Sequence, residues 1–279
     1  MSDSERKYVD LIFRACQKYA SWDPEVVVRV GDWGRITRGK RGLAFWRKNG
    51  TFLKEGNIYE DGKANKYEIP APIEHSGGST EAETWVVSQN AEQVDVSTSV
   101  GGNPAIERFK VKRAFKFSSG RGAVLAMEND TISKIDPLGA LRRLLEDNSM
   151  RDIVIVSEVH RCSAYARLLT THANNTVALG LSVEPPVSGL ASTTTNATWV
   201  LSTASGYFRS QVNKSGERDF YPLFRLVSLT DGAVSTGLGG ELDDEAVPAL
   251  SAAEPPSDAI LSTHTFSTRR FFHSFFCLA

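Results

Sequence analysis

The apolar and polar positions of residues 151–170, RDIVIVSEVHRCSAYARLLT, do not hold to one period. Ile153, Val154, Ile155 and Val156 open the run as a buried strand would, and then Glu158, His160, Arg161 and Arg167 break in among Val159, Tyr165 and Leu168. A strand buried on both faces stays apolar, so the mixed half predicts a segment able to serve two environments. Residues 108–117, RFKVKRAFKF, alternate more strictly. Phe109, Val111, Phe115 and Phe117 share one face, with Arg113 intruding, while Lys110, Lys112 and Lys116 take the other. One face suits hydrocarbon, the other water or anions. Both runs reach the roughly 9 to 11 residues that a tilted strand needs to cross a bilayer. The same alternation describes a half-buried edge strand of a soluble sheet, and the pattern leaves both readings open.

Around these runs the chain reads as short strands and few helices. Ser2 and Glu5 form a capping box that predicts a helix to about Ala20. At about 100° per residue, Lys7, Arg14 and Lys18 make a basic stripe, with Val9, Ile12, Cys16 and Tyr19 broadly opposite. After Pro24, EVVVRVGDW predicts a strand, and residues 42–46 a second one turning at Asn49-Gly50. The tip of that hairpin sets Arg47 and Lys48 beside Phe45 and Trp46, which suits a headgroup layer or, equally, a core tryptophan with a solvated turn.

Residues 85–100 and 108–117 predict a long antiparallel pair, with Val94, Val96 and Val100 alternating against Asp95, Ser97 and Ser99. Asp136 is expected to cap a helix with Pro137 at its first position and Leu138, Leu141, Leu144 and Leu145 as its buried stripe. A second long pair is expected between residues 153–170 and 196–208, the latter carrying Trp199 and Leu201, across a Pro, Ser and Thr-rich connection. FYPLFRLVSL, residues 220–229, predicts a closing core strand. The fold class is α+β, a twisted antiparallel sheet with flanking helices.

Composition sharpens this only where charge is uneven. Over 279 residues the formal net charge of -1 averages opposed regions. Residues 29–48 carry Arg29, Arg35, Arg38, Lys40, Arg41, Arg47 and Lys48 against Asp32 alone, while residues 241–258 hold six acids and no base. The body can attract anions and the tail repel them. A compact domain over residues 1–235 is therefore expected, followed by an acidic, Pro and Ser-rich tail over 236–279. The tail is expected to be disordered to Ser262 and ends in Phe271, Phe272, Phe275 and Phe276. Cys16, Cys162 and Cys277 lie too far apart for a disulfide framework or a metal-ligand spacing, which fits a reducing compartment. With no signal-like start and no run of 18 apolar residues, a cytoplasmic resting form is expected, and the Asn-x-Ser/Thr matches carry no sugar.

The order of these elements resembles the gasdermin pore-forming domain: basic helix, basic hairpin, alternating pair, leucine helix, second alternating pair, closing strand. LRRLLEDNSMRDIVIVSEVH, residues 141–160, is similar to the family's leucine-rich helix, polar turn and apolar strand, and Phe224, Arg225 and Leu226 to its closing strand. The resemblance implies a pore-forming effector of regulated cell death that binds acidic phospholipids and oligomerises, moving from cytoplasm to plasma membrane. Each subunit would insert two hairpins into a transmembrane β-barrel, the structure that satisfies strand backbones in lipid. It implies headgroup contacts at Lys7, Arg14, Lys18, Arg47 and Lys48. It also implies inserting hairpins that include Val94, Val96, Val100, Phe109, Val111, Phe115, Ile153, Ile155, Val159, Trp199 and Leu201, with Arg108, Lys110, Lys112 and Lys116 toward the lumen. A tail this short resembles fungal and bacterial members, and implies activation by removal of the tail by a protease or by a related but dissimilar partner in a hetero-oligomer. No cofactor or metal is implied.

Other classes fit less well. There is no G-x-S-x-G, H-E-x-x-H or Walker loop, and His75, His160, His172, His264 and His273 are scattered singly, so no enzyme is expected. Nucleic-acid binding would draw on residues 29–48, but no recognition helix or RNA-binding aromatic motif accompanies them. A non-lytic lipid-binding or scaffold protein is the alternative, since it shares the basic surfaces and needs no insertion.

Overall fold

The computed structural model describes residues 3–38, 50–76, 83–95, 110–118, 120–150, 153–171, 176–183, 197–201, 206–230 and 233–236. Helix α1 (Asp3–Cys16) begins with Asp3 and Glu5 in its first turn and Arg14 in its last, the arrangement its dipole favours. Tyr8, Ile12 and Phe13 form its buried stripe. It stops short of the predicted Ala20 because Gln17 turns left-handed at φ 58 and gives its N–H to Phe13 O at 2.7 Å. Tyr19–Ala20 then pair as strand β1 instead.

All strand pairings among the described residues are antiparallel, in three sheets. The central sheet runs β1, β15 (Phe220–Thr230), β10 (Val154–Cys162), β2 (Asp32–Arg38), β3 (Gly50–Asn57). On its flanks β16 (Ala233–Thr236) pairs with β15, and β9 (Thr131–Lys134) joins β10 to β4 (Ile73–Ser76). A leucine-rich turn covers this sheet: a 3-10 segment, Leu138–Leu141, runs into α3 (Arg142–Leu145). Leu141, Leu144, Leu145 and Met150 pack there on Ile153, Ile155, Val159 and Leu226, with Ala64 of α2 (Lys63–Lys66) at the margin. The helix does not start at Pro137, which is extended and precedes the first turn.

A further difference from the sequence pattern concerns the first hairpin. Residues 25–30 are not a strand; Val26 and Val27 lie 57% and 49% exposed, and pairing starts at Asp32. Gly50 is paired with Arg38 as the first residue of β3, and the predicted strand 42–46 and Asn49 lie outside the described residues. Arg47 and Lys48 lie outside the described residues.

The second sheet runs β14 (Tyr207–Val212), β11 (Ala164–Leu169), β8 (Ala123–Glu128), β5 (Glu83–Val87). The third runs β13 (Ala197–Leu201), β12 (Thr176–Val183), β7 (Lys110–Phe117), β6 (Ala91–Val94). The second sheet is the middle layer of a three-layer stack. Ala123, Leu125, Met127, Tyr165 and Leu169 meet Tyr8 and Ile12 of α1 on one face, and Val124, Ala126, Ala164, Ala166 and Leu168 meet the third sheet on the other. That double burial fits the continuous apolar run of residues 123–127.

Candidate functional site

Each strand of the second sheet continues, after a short link, into a strand of the third. β5 leads to β6, β7 to β8, β11 to β12 and β13 to β14, so the two sheets are one four-stranded ribbon doubled over on itself. The central register survives the corner. Leu169 faces Ala123 on one side of it and Thr176 faces Lys116 on the other, with equal numbers of residues intervening on the two strands. β12 is missing from the sequence reading, which took its residues for part of a connection. Its signal was the alternation of Val177 and Leu179 with Ala178 and Gly180.

Small polar residues hold the corner. Thr170, fully buried, gives its N–H to Gly122 O at 2.9 Å and accepts the Gly122 N–H on Oγ1 at 2.6 Å. Ser88 exchanges both bonds with Ala123, through its N–H at 2.9 Å and its Oγ at 3.0 Å, and Ser118 N–H reaches Asn90 O at 3.0 Å. Gly122 is there because of space: a Cβ at that position would stand 1.9 Å from the Phe117 ring.

Between the doubled layers, Phe115, Phe117, Val177, Leu179 and Trp199 of the third sheet pack on Val124, Ala126, Ala164, Ala166 and Leu168 of the second. Trp85 at the margin meets Trp199 edge to face at 5.5 Å and Phe115 at 5.8 Å. The opposite face of β7 presents Lys116, exposed, while Lys112 is tied to Glu83 at 2.5 Å. A bulge at Lys112, between the pairs Arg113–Leu179 and Val111–Gly180, interrupts the regular register of β7.

The predicted inserting residues therefore divide. Phe115 and Trp199 lie buried in the doubled ribbon, Val94 half-buried at the end of β6, and Val111 and Leu201 in its paired strands. Val96, Val100 and Phe109 lie outside the described residues. Ile153, Ile155 and Val159 belong elsewhere: they are buried in the central sheet, under α3, at 3%, 0% and 1% exposure. The run 151–170 is two strands in two sheets, parted at Ser163, whose N–H bonds to Glu128 O at 3.1 Å.

Of its polar interruptions, Glu158, His160 and Arg167 are buried and Arg161 is half-buried. Glu158 accepts from Lys18 Nζ at 2.5 Å and faces Arg225 at 3.4 Å. Lys18 Nζ and Glu158 Oε1 lie 2.8 and 3.2 Å from His160 Nε2, and His160 Nδ1 lies 3.1 Å from Asp130, while Thr84 Oγ1 donates to the other Asp130 oxygen at 2.9 Å. Burial alone would raise the Glu158 carboxyl; its bonds to His160 and Lys18 and the nearby Arg225 outweigh that and hold it at about 2. Lys18 thus lies past the end of α1 and turns inward, whereas Lys7 and Arg14 are exposed on the helix.

No family model and no curated protein matches the chain. Among solved structures, the chain is similar to a bacterial gasdermin from Bradyrhizobium tropiciagri at 12% identity and a TM-score of 0.28, over 81% of this chain and 88% of that one. Likeness at that level leaves the function to be argued from the chain's own residues. Among the described residues no helix is long and apolar enough to cross a membrane, which says nothing of strands.

Proposed function

We propose that this chain is a pore-forming protein whose doubled ribbon opens at the corner and crosses an acidic bilayer as part of a closed β-barrel of several copies. The observation that carries this reading is the central register, which is the same on both sides of the corner between β8–β11 and β7–β12, so that pair needs no shift at the corner when it straightens. A closed barrel is what lets strand backbones enter lipid, which makes assembly and insertion one event.

In the inserted state Phe115, Phe117, Val177, Leu179 and Trp199, now buried against the second sheet, face hydrocarbon, and Lys116 faces the lumen. Their burial is exchanged and not lost. β7 and β12 span 8 residues each, just under the roughly 9 to 11 required, and extension into residues 96–109 and 184–196 supplies the remainder. Lys7 and Arg14 approach the anionic surface, and Arg47 and Lys48 belong to the same contact. Activation follows either removal of the tail or pairing with a related chain.

The test is dye release from vesicles by the full chain and by the chain lacking residues 241–279. Release from acidic and not neutral vesicles, faster without the tail, is expected. A lipid-binding scaffold is the second reading, favoured by the enclosure of Phe117 at 0% and Trp199 at 2% exposure; binding without release would support it.

A further inference from the structure

Arg167 sits on β11 beneath α1, 5% exposed, and among the described residues no carboxylate lies within ion-pair distance of it. The two acids nearby are taken. Arg209, on the neighbouring β14, binds Asp23 at 2.9 Å and Glu25 at 3.0 Å, and Tyr165 also donates to Glu25 at 2.9 Å. The Arg167 guanidinium carbon lies 3.7 Å from the centroid of the Trp22 ring. A cation–π contact supplies no acceptor for an N–H. Its Nε finds no hydrogen-bond partner among the described residues, and neither does the Tyr8 hydroxyl of α1, which is fully buried in the same layer.

The contrast lies eight positions or so back along the same run, where the equally buried Glu158 and His160 are matched on every side. An unmatched buried cation and an unmatched hydroxyl raise the free energy of the state that holds them, and replacement by an apolar group of similar shape removes that penalty.

We propose that Arg167, with Tyr8, is a built-in mismatch that keeps the seat of α1 on the second sheet weak, so that α1 lifts and β11 is freed while the central sheet stays intact. The release of β11 into a pore rests on the function proposed above; the weak seat does not. Once α1 lifts, the guanidinium gains water and its penalty disappears.

The experiment compares the full chain with Arg167→Met, which keeps a flexible stem over Trp22 without the charge, and with Tyr8→Phe, which removes only the hydroxyl. Hydrogen exchange is read peptide by peptide in solution, and dye release from acidic vesicles is read in parallel. In Arg167→Met, protection of α1 and β11 amides should rise on the order of tenfold, with β10 and β15 unchanged. Tyr8→Phe should raise protection of the same segments to a lesser degree. Both variants should release dye more slowly. Unchanged or reduced protection in both variants overturns the proposal, and so does an Arg167→Met chain that fails to fold. If protection rises while the unaltered chain never releases dye, the weak seat stands and the pore fails.

Discussion

The central sheet and the doubled ribbon bury apolar side chains about equally completely, but they do so in ways that respond differently to force. In the central sheet, leucines and Met150 of the covering turn interlock with Ile153, Ile155 and Val159, and the charges that enter are tied together by Lys18, Glu158, His160, Asp130 and Arg225. In the ribbon, five large side chains pack on three alanines, Val124 and Leu168, and a buried arginine has no acid within ion-pair distance among the described residues. Interlocked layers of large residues resist sliding because each side chain occupies a socket, and alanines offer fewer sockets. Under the proposed function, the central sheet is the part that stays and the ribbon the part that leaves.

The largest effect should come from breaking the part that stays. Glu158→Ala strands Lys18 and Arg225 and should lower stability by about 3–5 kcal/mol, read by urea unfolding. A loss below 1 kcal/mol would show that the central sheet is not clamped there. Next in size is Gly122→Val, whose side chain cannot share the corner with Phe117. It should destabilise the doubled form by about 1–3 kcal/mol while speeding dye release, since the straight form has no such clash. Slower release from a folded variant would break the assignment of the corner as the hinge.

Acid should act on the central sheet through Glu158. Its folded carboxyl sits at about 2 against an ordinary value of 4.5, so its contribution is complete above about 4.5 and is lost as pH falls toward 2. Glu158→Gln should flatten that limb in urea midpoints measured across the interval; an unchanged limb contradicts the pairing. The smallest effects belong to exposed charge. Lys7→Glu and Arg14→Glu should weaken binding to acidic vesicles by roughly 1 kcal/mol per positive charge lost, read by vesicle sedimentation, with urea stability unchanged.

How much of this was legible depends on whether a residue's partners lie near it in sequence. The basic face of α1 with Ile12 behind it, the leucine stripe at 138–145 and the closing strand at 220–229 follow from local period, and the structure has them. The division of residues 151–170 into two sheets could not be read, because Ser163, where the strands part, is one more polar residue in a run that Glu158, His160, Arg161 and Arg167 already interrupt. Glu158, His160 and Arg167 looked alike as charges intruding on a strand. Their different fates are set by Lys18, Asp130 and Arg209, far away in the chain and close in space. Ile155 and Phe115 were likewise indistinguishable by pattern, yet one anchors the core and the other lies in the ribbon.

The central claim is that the ribbon enters lipid while the central sheet does not. An environment-sensitive label placed by single cysteines at positions 115, 116, 117, 177, 178 and 179, and at 155 and 159, reads this directly on acidic vesicles after removal of residues 241–279. Hydrocarbon signals at 115, 117, 177 and 179, water signals at 116 and 178, and no change at 155 and 159 are the expected result. Labels at 155 and 159 entering lipid, or a ribbon whose signals are the same with and without membrane, would contradict it.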